Sequence, residues 1–471
     1  MPGNIACSDR YAFVHVRMSP KSGIGNMGDR WHPFAMETSS VPKPTPTVSR
    51  VCGDTIIELV YDEGARKTNL IVSRNGQWTR EDTVELSGGE ALVPYSPDNN
   101  LIRHHCVLLP SEPVESGSKQ QLLADIEAYL HRYVDFSPLF ERLAAHYVLL
   151  SWVFDAFGEV PYLRLKGDFG TGKTRALMAL GTVVYKGFFA SAASTVSPIF
   201  HTLDRFGGTL IFDEADLRFS DKTADLVKIL NNGTVRGLPV LRTLQNAQKE
   251  FNPAAFTVYG PKIVAMRGTF RDEALESRFI TEDMGTRPLR SDIPIRVPKS
   301  LRSEALALRN RLLHYRLTHL SEIKSDSSRL VDGIDPRLNQ TVISLLSVID
   351  DNTLRDAFVA QVRAWNVRLI ADRAATLEAR TLAALDALAE RDVPFIALSE
   401  ITARVNSDEL GASATARDIG HVLRARSLPL YKSNGRVGLP KSALRAPANP
   451  RNTDPRGPTT APLARTAPGG N

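Results

Sequence analysis

The chain has 471 residues, 42% hydrophobic and 23% charged, enough for two to four domains with cores of their own. It contains no apolar run near the roughly 18 residues a membrane-spanning helix needs, and no signal-like opening, which argues against a membrane or secreted protein. Cys7, Cys52 and Cys106 are far apart and form no C-x-x-C pair, which argues against a zinc site and for a reducing cytoplasm. The net charge of +6 is uneven. Residues 399–471 carry eleven Lys/Arg against five Asp/Glu, an excess equal to the whole net charge, and that points to a polyanionic partner.

In chain order, residues 1–50 lack periodicity and end in a Pro-rich stretch from Val41, which predicts a disordered segment closing in a linker. Residues 51–117 hold short strand-like runs, Thr55–Tyr61, Asn69–Val72 and Ala91–Tyr95, separated by Gly, Asn and Asp. A small β-rich domain is expected there. Two helical patterns follow, Leu122–Tyr133 and Leu139–Phe157, with apolar residues three and four apart.

The stretch from 160 to 216 carries the chemistry. Val160–Leu165 reads as a strand. It leads into Gly167-Asp168-Phe169-Gly170-Thr171-Gly172-Lys173-Thr174, a full match to G-x-x-x-x-G-K-[ST]. Glycines let the backbone turn tightly enough to aim N–H groups at phosphate oxygens, and the helix expected from Arg175 to Tyr185 adds its positive end. Gly167, Gly170, Thr171, Gly172, Lys173 and Thr174 are the candidate phosphate ligands. Lys173 is expected on the β- and γ-phosphates and Thr174 on Mg²⁺. Downstream, Gly208–Phe212 is an apolar strand ending in Asp213-Glu214-Ala215-Asp216. If that strand lay beside the first, Asp213 would face the metal and Glu214 would orient or deprotonate the attacking water. The expected ligands are therefore ATP and Mg²⁺.

Beyond the acids, Asp221–Leu230 reads as a helix. The runs Thr234–Gly237 and Val240–Thr243 look like a hairpin carrying Arg236 and Arg242, and Phe256–Met266 contains another buried strand. Arg278 sits between apolar residues in Ser277-Arg278-Phe279. Residues 300–390 have helical periodicity, with Arg337 opening one amphipathic helix and Leu377–Ala389 forming a connector. In 391–445, Ser399 can cap a short helix, Thr415–Asp418 is a capping-box pattern, and Leu430–Leu439 is a hairpin with an Asn-Gly turn. Counting the Leu377 helix first, this is a winged-helix order. Arg417, His421 and Arg424 could then face a groove, with Lys432 and Arg436 on the wing. Residues 446–471 are Pro, Ala, Thr, Arg and Gly and are expected to stay unpacked.

The loop, the acidic strand end, the arginine hairpin and Ser277–Phe279 together resemble the AAA+ ATPases over roughly residues 118–445. The likeness is to the hairpin-bearing branch with the minichromosome-maintenance helicases, and to uncharacterised ATPases of phages, plasmids and integrative elements. It implies an α/β fold: an AAA+ core at 118–299, a helical lid and connector at 300–390, and a winged helix at 391–445. It also implies Arg278 as an arginine finger acting across a subunit boundary in a ring, and Arg337 as a lid arginine on the nucleotide. The position at the end of the 262–266 strand usually carries a polar sensor residue, and here it reads Ala265-Met266-Arg267. Three functions remain open: an ATP-driven motor on DNA, an ATP-gated initiator, loader or regulator with slow hydrolysis, and a protein remodeller whose winged helix or N-terminal domain docks a protein partner.

Overall fold

A computed structural model describes residues 44–87, 89–191, 193–213, 221–245, 251–270, 272–407, 413–433 and 435–444. The chain divides between Ala364 and Trp365 into two compact units.

The first unit opens with seven short strands: β1 (Thr45–Thr47), β2 (Ser49–Cys52), β3 (Thr55–Asp62), β4 (Lys67–Arg74), β5 (Gln77–Glu81), β6 (Val84–Glu85) and β7 (Ala91–Pro94). β2 to β5 form an antiparallel sheet in chain order, and β1, β7 and β6 form a second, three-stranded one. The β4–β5 turn is Asn75-Gly76 with φ of 53° and 80°, the left-handed pair that a two-residue hairpin requires. The linker expected up to residue 50 is already strand from Thr45, paired in parallel with β7.

Helices α1 (Asn100–Arg103), α2 (Lys119–Tyr133) and α3 (Pro138–Trp152) lead into a five-stranded parallel sheet. Its strands alternate with helices in sequence: β8 (Tyr162–Lys166), α4 (Lys173–Gly181), β9 (Phe188–Ser191), α5 (Val196–Phe206), β10 (Leu210–Asp213), α6 (Asp221–Asn232). A hairpin of β11 (Val240–Gln245) and β12 (Phe251–Phe256) precedes β13 (Lys262–Met266), α7 (Glu273–Glu276) and β14 (Phe279–Asp283). The sheet order is β14-β8-β13-β10-β9, every pair parallel. This corrects one expectation. The acidic strand β10 does not lie beside β8, because β13 is inserted between them. α8 (Ser300–His319), α9 (Pro336–Val348) and α10 (Asn352–Ala375) complete the helices before the division, which falls within α10.

The β-rich segment does not have a core of its own. Ile57, Leu59, Leu70 and Val72 belong to the same buried cluster as Phe188, Phe200 and Leu210 of the parallel-sheet region. A segment of this size exposes too much surface to stand alone, so it borrows the neighbouring core. A buried charge cluster ties the two together. Glu58 on β3 accepts from Arg316 Nε at 2.8 Å and from Tyr185 Oη at 2.7 Å, and pairs with Lys186 at 2.9 Å. Arg316 also holds both oxygens of Asp155, at 2.7 and 2.6 Å. Burial pushes the Glu58 carboxyl up, but Lys186 and Arg316 outweigh it and hold it below the ordinary range.

The second unit contains α11 (Leu377–Ala389), β15 (Phe395–Ala397), α12 (Leu398–Ser407), α13 (Ala416–Ala425), β16 (Tyr431–Ser433) and β17 (Arg436–Pro440). The strands pair antiparallel in the order β15-β17-β16. Leu385 and Leu388 of α11 share a core with Ile401, Ile419, Leu423 and Leu439. The Leu377 helix therefore packs within this unit rather than linking to it. Ser399 lies inside α12 instead of capping it, whereas Thr415 and Asp418 form a reciprocal capping box on α13. Of the cysteines, Cys106 is an exposed free thiol, Cys52 is buried at the end of β2, and Cys7 lies outside the described residues.

Candidate phosphate-loop site

The loop between β8 and α4 is built around absent side chains. A Cβ on Gly167 would stand 2.5 Å from the Met284 carbonyl oxygen, so only glycine lets the chain after β14 approach here. Gly172 caps α4 in the left-handed region at φ 88°. Lys173 follows as the first residue of the helix and turns its ammonium back into the loop, donating to the Gly167 and Asp168 carbonyls, each at 2.6 Å. Thr174 donates its hydroxyl hydrogen to Asp213 Oδ2 at 2.9 Å. The cationic group, the hydroxyl and a strand-end carboxylate thus converge at the C-terminal edge of the parallel sheet, where open α/β sheets bind ligands. Glu214 lies outside the described residues.

Beside the loop is a cavity of about 490 Å³, with Val134, Met284, Leu289 and Ile293 among its apolar walls. Three carboxylates line it, of which Asp283 is half exposed and pairs with Lys166 at 3.0 Å. Asp135 takes Arg287 at 2.8 Å and the Arg290 N–H at 3.1 Å. Glu282 accepts from the Ser137 N–H and hydroxyl at 2.6 and 2.7 Å, and burial still raises its pKa. The cavity is roofed by the segment after β14, which Arg175, in the first turn of α4, holds through the Pro294 and Ile295 carbonyls. Arg267, at the end of β13, stacks its guanidinium over the Phe169 ring of the loop at 3.3 Å. Motif reading missed the Arg175 and Arg287 contacts, because partners more than a hundred residues away leave no local signal.

Other expected site residues are placed differently. Arg278 precedes the edge strand β14 and donates to the Leu230 and Asn231 carbonyls at the end of α6. Its pKa is lowered by burial and then by Arg337, which lies within electrostatic reach. β14 and β8 pair Phe279 with Tyr162 and Asp283 with Lys166, so Arg278 stands one strand length, roughly 16 Å, from the loop. Arg337 is exposed, keeps this company, and is not among the residues lining the cavity at the loop. The reason is local: α9, whose N-terminus carries Arg337, packs on α3.

The expected arginine hairpin is not there. Thr234–Gly237 precedes the hairpin, which is β11–β12. Arg236 donates to the Asp155 carbonyl and packs over Tyr259 at 5.2 Å. Arg242 is on β11 but turns inward, pairing with Asp225 at 3.0 Å and covering Phe200 at 4.5 Å. Alternation along β11 places Arg242 on the buried face with Val240, which leaves Leu241 outward, 68% exposed. The hairpin tip, 246–250, lies outside the described residues.

In the second unit Arg417, His421 and Arg424 are all exposed at helical spacing on α13, while Ile419 and Leu423 face the core. Lys432 and Arg436 are exposed on β16 and β17. Lys432 pairs with Val437 and Arg436 with Ser433, so the two side chains leave opposite faces of the hairpin. Asn434 lies outside the described residues, as do 445–471.

No protein-family model matches the chain, and no curated protein matches it. Among solved structures it is similar to the apo NrS-1 C terminal region, at 13% identity and a TM-score of 0.36, covering 82% of this chain and 96% of that one. It is also similar to SCCmec type IV Cch, described as an active helicase, at 12% identity and a TM-score of 0.32, covering 88% and 98%. JCV helicase is a further neighbour, at 15% identity and a TM-score of 0.22, covering 52% and 66%. With TM-scores below 0.5, these likenesses carry no functional argument, and the weight falls on the residues of the loop.

Proposed function

We propose that the chain is an ATP-hydrolysing AAA+ enzyme that acts on DNA as a motor. The observation that carries the reading is the 2.9 Å contact between Thr174 and Asp213, formed in a complete phosphate-loop motif with Lys173 already inside the loop. A hydroxyl and a carboxylate meeting at a loop of this type are the donor set for a divalent cation beside phosphates. Bound ATP with Mg²⁺ would supply the phosphoanhydride and the charge that neutralises it. Lys173 would exchange its two carbonyl partners for phosphate oxygens, and Thr174 and Asp213 would hold the cation. Glu214, next after Asp213 in sequence, would orient the attacking water. The cavity beside the loop would take the nucleoside.

The inserted strand β13 and the second unit as a winged helix fit the AAA+ reading. Arg278 and Arg337 are too far from the loop to serve it in the same chain, which supports service to a neighbour's site in a ring. The DNA reading is supported by the exposed Arg417, His421 and Arg424 face. ATP hydrolysis measured with and without single- and double-stranded DNA, followed by strand displacement, is the test. Hydrolysis without displacement would favour an initiator, loader or regulator. Hydrolysis indifferent to DNA would favour protein remodelling.

A further inference from the structure

Further along α4 from the loop, beside Met178 and Thr182, the first unit holds a groove of about 810 Å³ that the proposed reaction does not use. Its floor is apolar: Met178 of α4 is 40% exposed and Phe189 of β9 is 44% exposed, with Leu108 beside them. Its rim is basic. Lys299 and Arg302 line it from the start of α8, and His104 and His105 from the opposite side, against one carboxylate, Glu63, which pairs with His105 at 3.3 Å.

Arg309 is the unusual member. It is only 8% exposed, yet it faces no carboxylate among the described residues. Nε donates to the Leu109 carbonyl at 3.2 Å and Nη1 to the Thr182 carbonyl at 2.5 Å, while Nη2 makes no hydrogen bond to a described residue. Burying a guanidinium costs several kcal/mol unless an anion compensates it. Here burial lowers its pKa to about 10, and the compensating charge is not supplied by the described chain. A nearly buried, uncompensated cation at the wall of a basic groove calls for an anionic ligand.

We infer that this groove binds a short segment of single-stranded nucleic acid, phosphates on Arg309, Lys299 and Arg302 and a base against Phe189. Cations along a track with an exposed aromatic side chain on the floor are the pairing that unpaired nucleotides use. Duplex DNA keeps its bases stacked and would leave Phe189 unused. Met178 and Phe189 also line the small cavity that holds Thr174 and Asp213. A strand in the groove therefore presses on the same two side chains as the cation site.

The test is photocrosslinking of the full-length chain to a 4-thiothymidine oligonucleotide of about ten nucleotides, with the crosslinked peptide identified by mass spectrometry. The expected adduct lies on the peptide containing Phe189. It should disappear in the Lys299→Glu/Arg302→Glu double variant, whose substitutions are at exposed positions, and persist when Arg417 and Arg424 are replaced by alanine. With two fewer cations on the phosphates, the log–log salt slope should fall by about 1.4. Adducts found only elsewhere, or an affinity and slope untouched by the double variant, overturn the inference. So does polyglutamate displacing the strand at equal charge concentration, which would identify an acidic peptide as the occupant.

Discussion

Thr174 and Asp213 hydrogen-bond at 2.9 Å although their elements are not sheet neighbours: α4 follows β8, and Asp213 ends β10, two places away. The helix bridges that gap and brings the hydroxyl to the carboxylate. Asp213→Asn should therefore leave the fold intact and raise the Mg²⁺ concentration needed for half-maximal hydrolysis. Lys173→Ala should abolish tight ATP binding, and Glu214→Gln should bind ATP without turning it over. Parental turnover in the Gln variant would remove Glu214 from the mechanism.

Arg278 and Arg337 should matter only in assemblies. Arginine fingers contribute about 10³–10⁵ in rate in other NTPases. Arg278→Ala subunits and Lys173→Ala subunits, each inactive alone, should recover part of the activity when mixed, because mixed interfaces regain an intact site. Arg337→Ala should behave like Arg278→Ala in the same mixing experiment. No recovery between subunits shown to exchange would defeat the assignment in trans.

Stability should fall on acidification partly because of His146, a buried ring that donates Nδ1–H to the Arg142 carbonyl at 2.8 Å. Burial lowers its pKa from 6.5 to about 4. Because the folded value is the lower one, the unfolded chain binds more protons between pH 4 and 6.5. Stability is thus retained above 6.5 and lost as the pH falls toward 4, by about 3 kcal/mol in total. Urea midpoints of the parent and His146→Phe, compared across that window, should converge as the pH drops. A constant difference would mean that His146 does not titrate in it.

The α13 face should bind DNA through phosphates. Replacing Arg417 and Arg424 by alanine, both exposed, should leave the unit folded and reduce the salt slope for duplex binding by about 0.9 for each phosphate no longer neutralised. Removing 391–471 is a poorer test, since it would strip Leu385 and Leu388 of α11 from their partners. Truncation after residue 445 is the control for a nonspecific basic tail. If neither change moves DNA affinity, the second unit has another partner.

What could be read from the sequence was whatever chemistry lies in contiguous residues. Gly167 to Thr174 names a phosphate loop because the turn, the lysine and the hydroxyl are a few bonds apart, and Thr415 to Asp418 names a helix start for the same reason. Some strands and helices were legible from periodicity, β8, β10 and α6 among them, whereas β9, α5 and β14 were not. Charge on a residue said nothing about where the residue points. Arg236 and Arg242 read as a basic hairpin, yet packing turned them onto Tyr259 and Phe200, and the outward face went to Leu241. The order of strands, the nearness of the like-charged Arg337 and Arg278, and the core shared by the N-terminal sheet were likewise decided in three dimensions. Glu58, Asp155, Lys186 and Arg316 show why: they are scattered over 258 residues, and only the tertiary fold brings their side chains into one network.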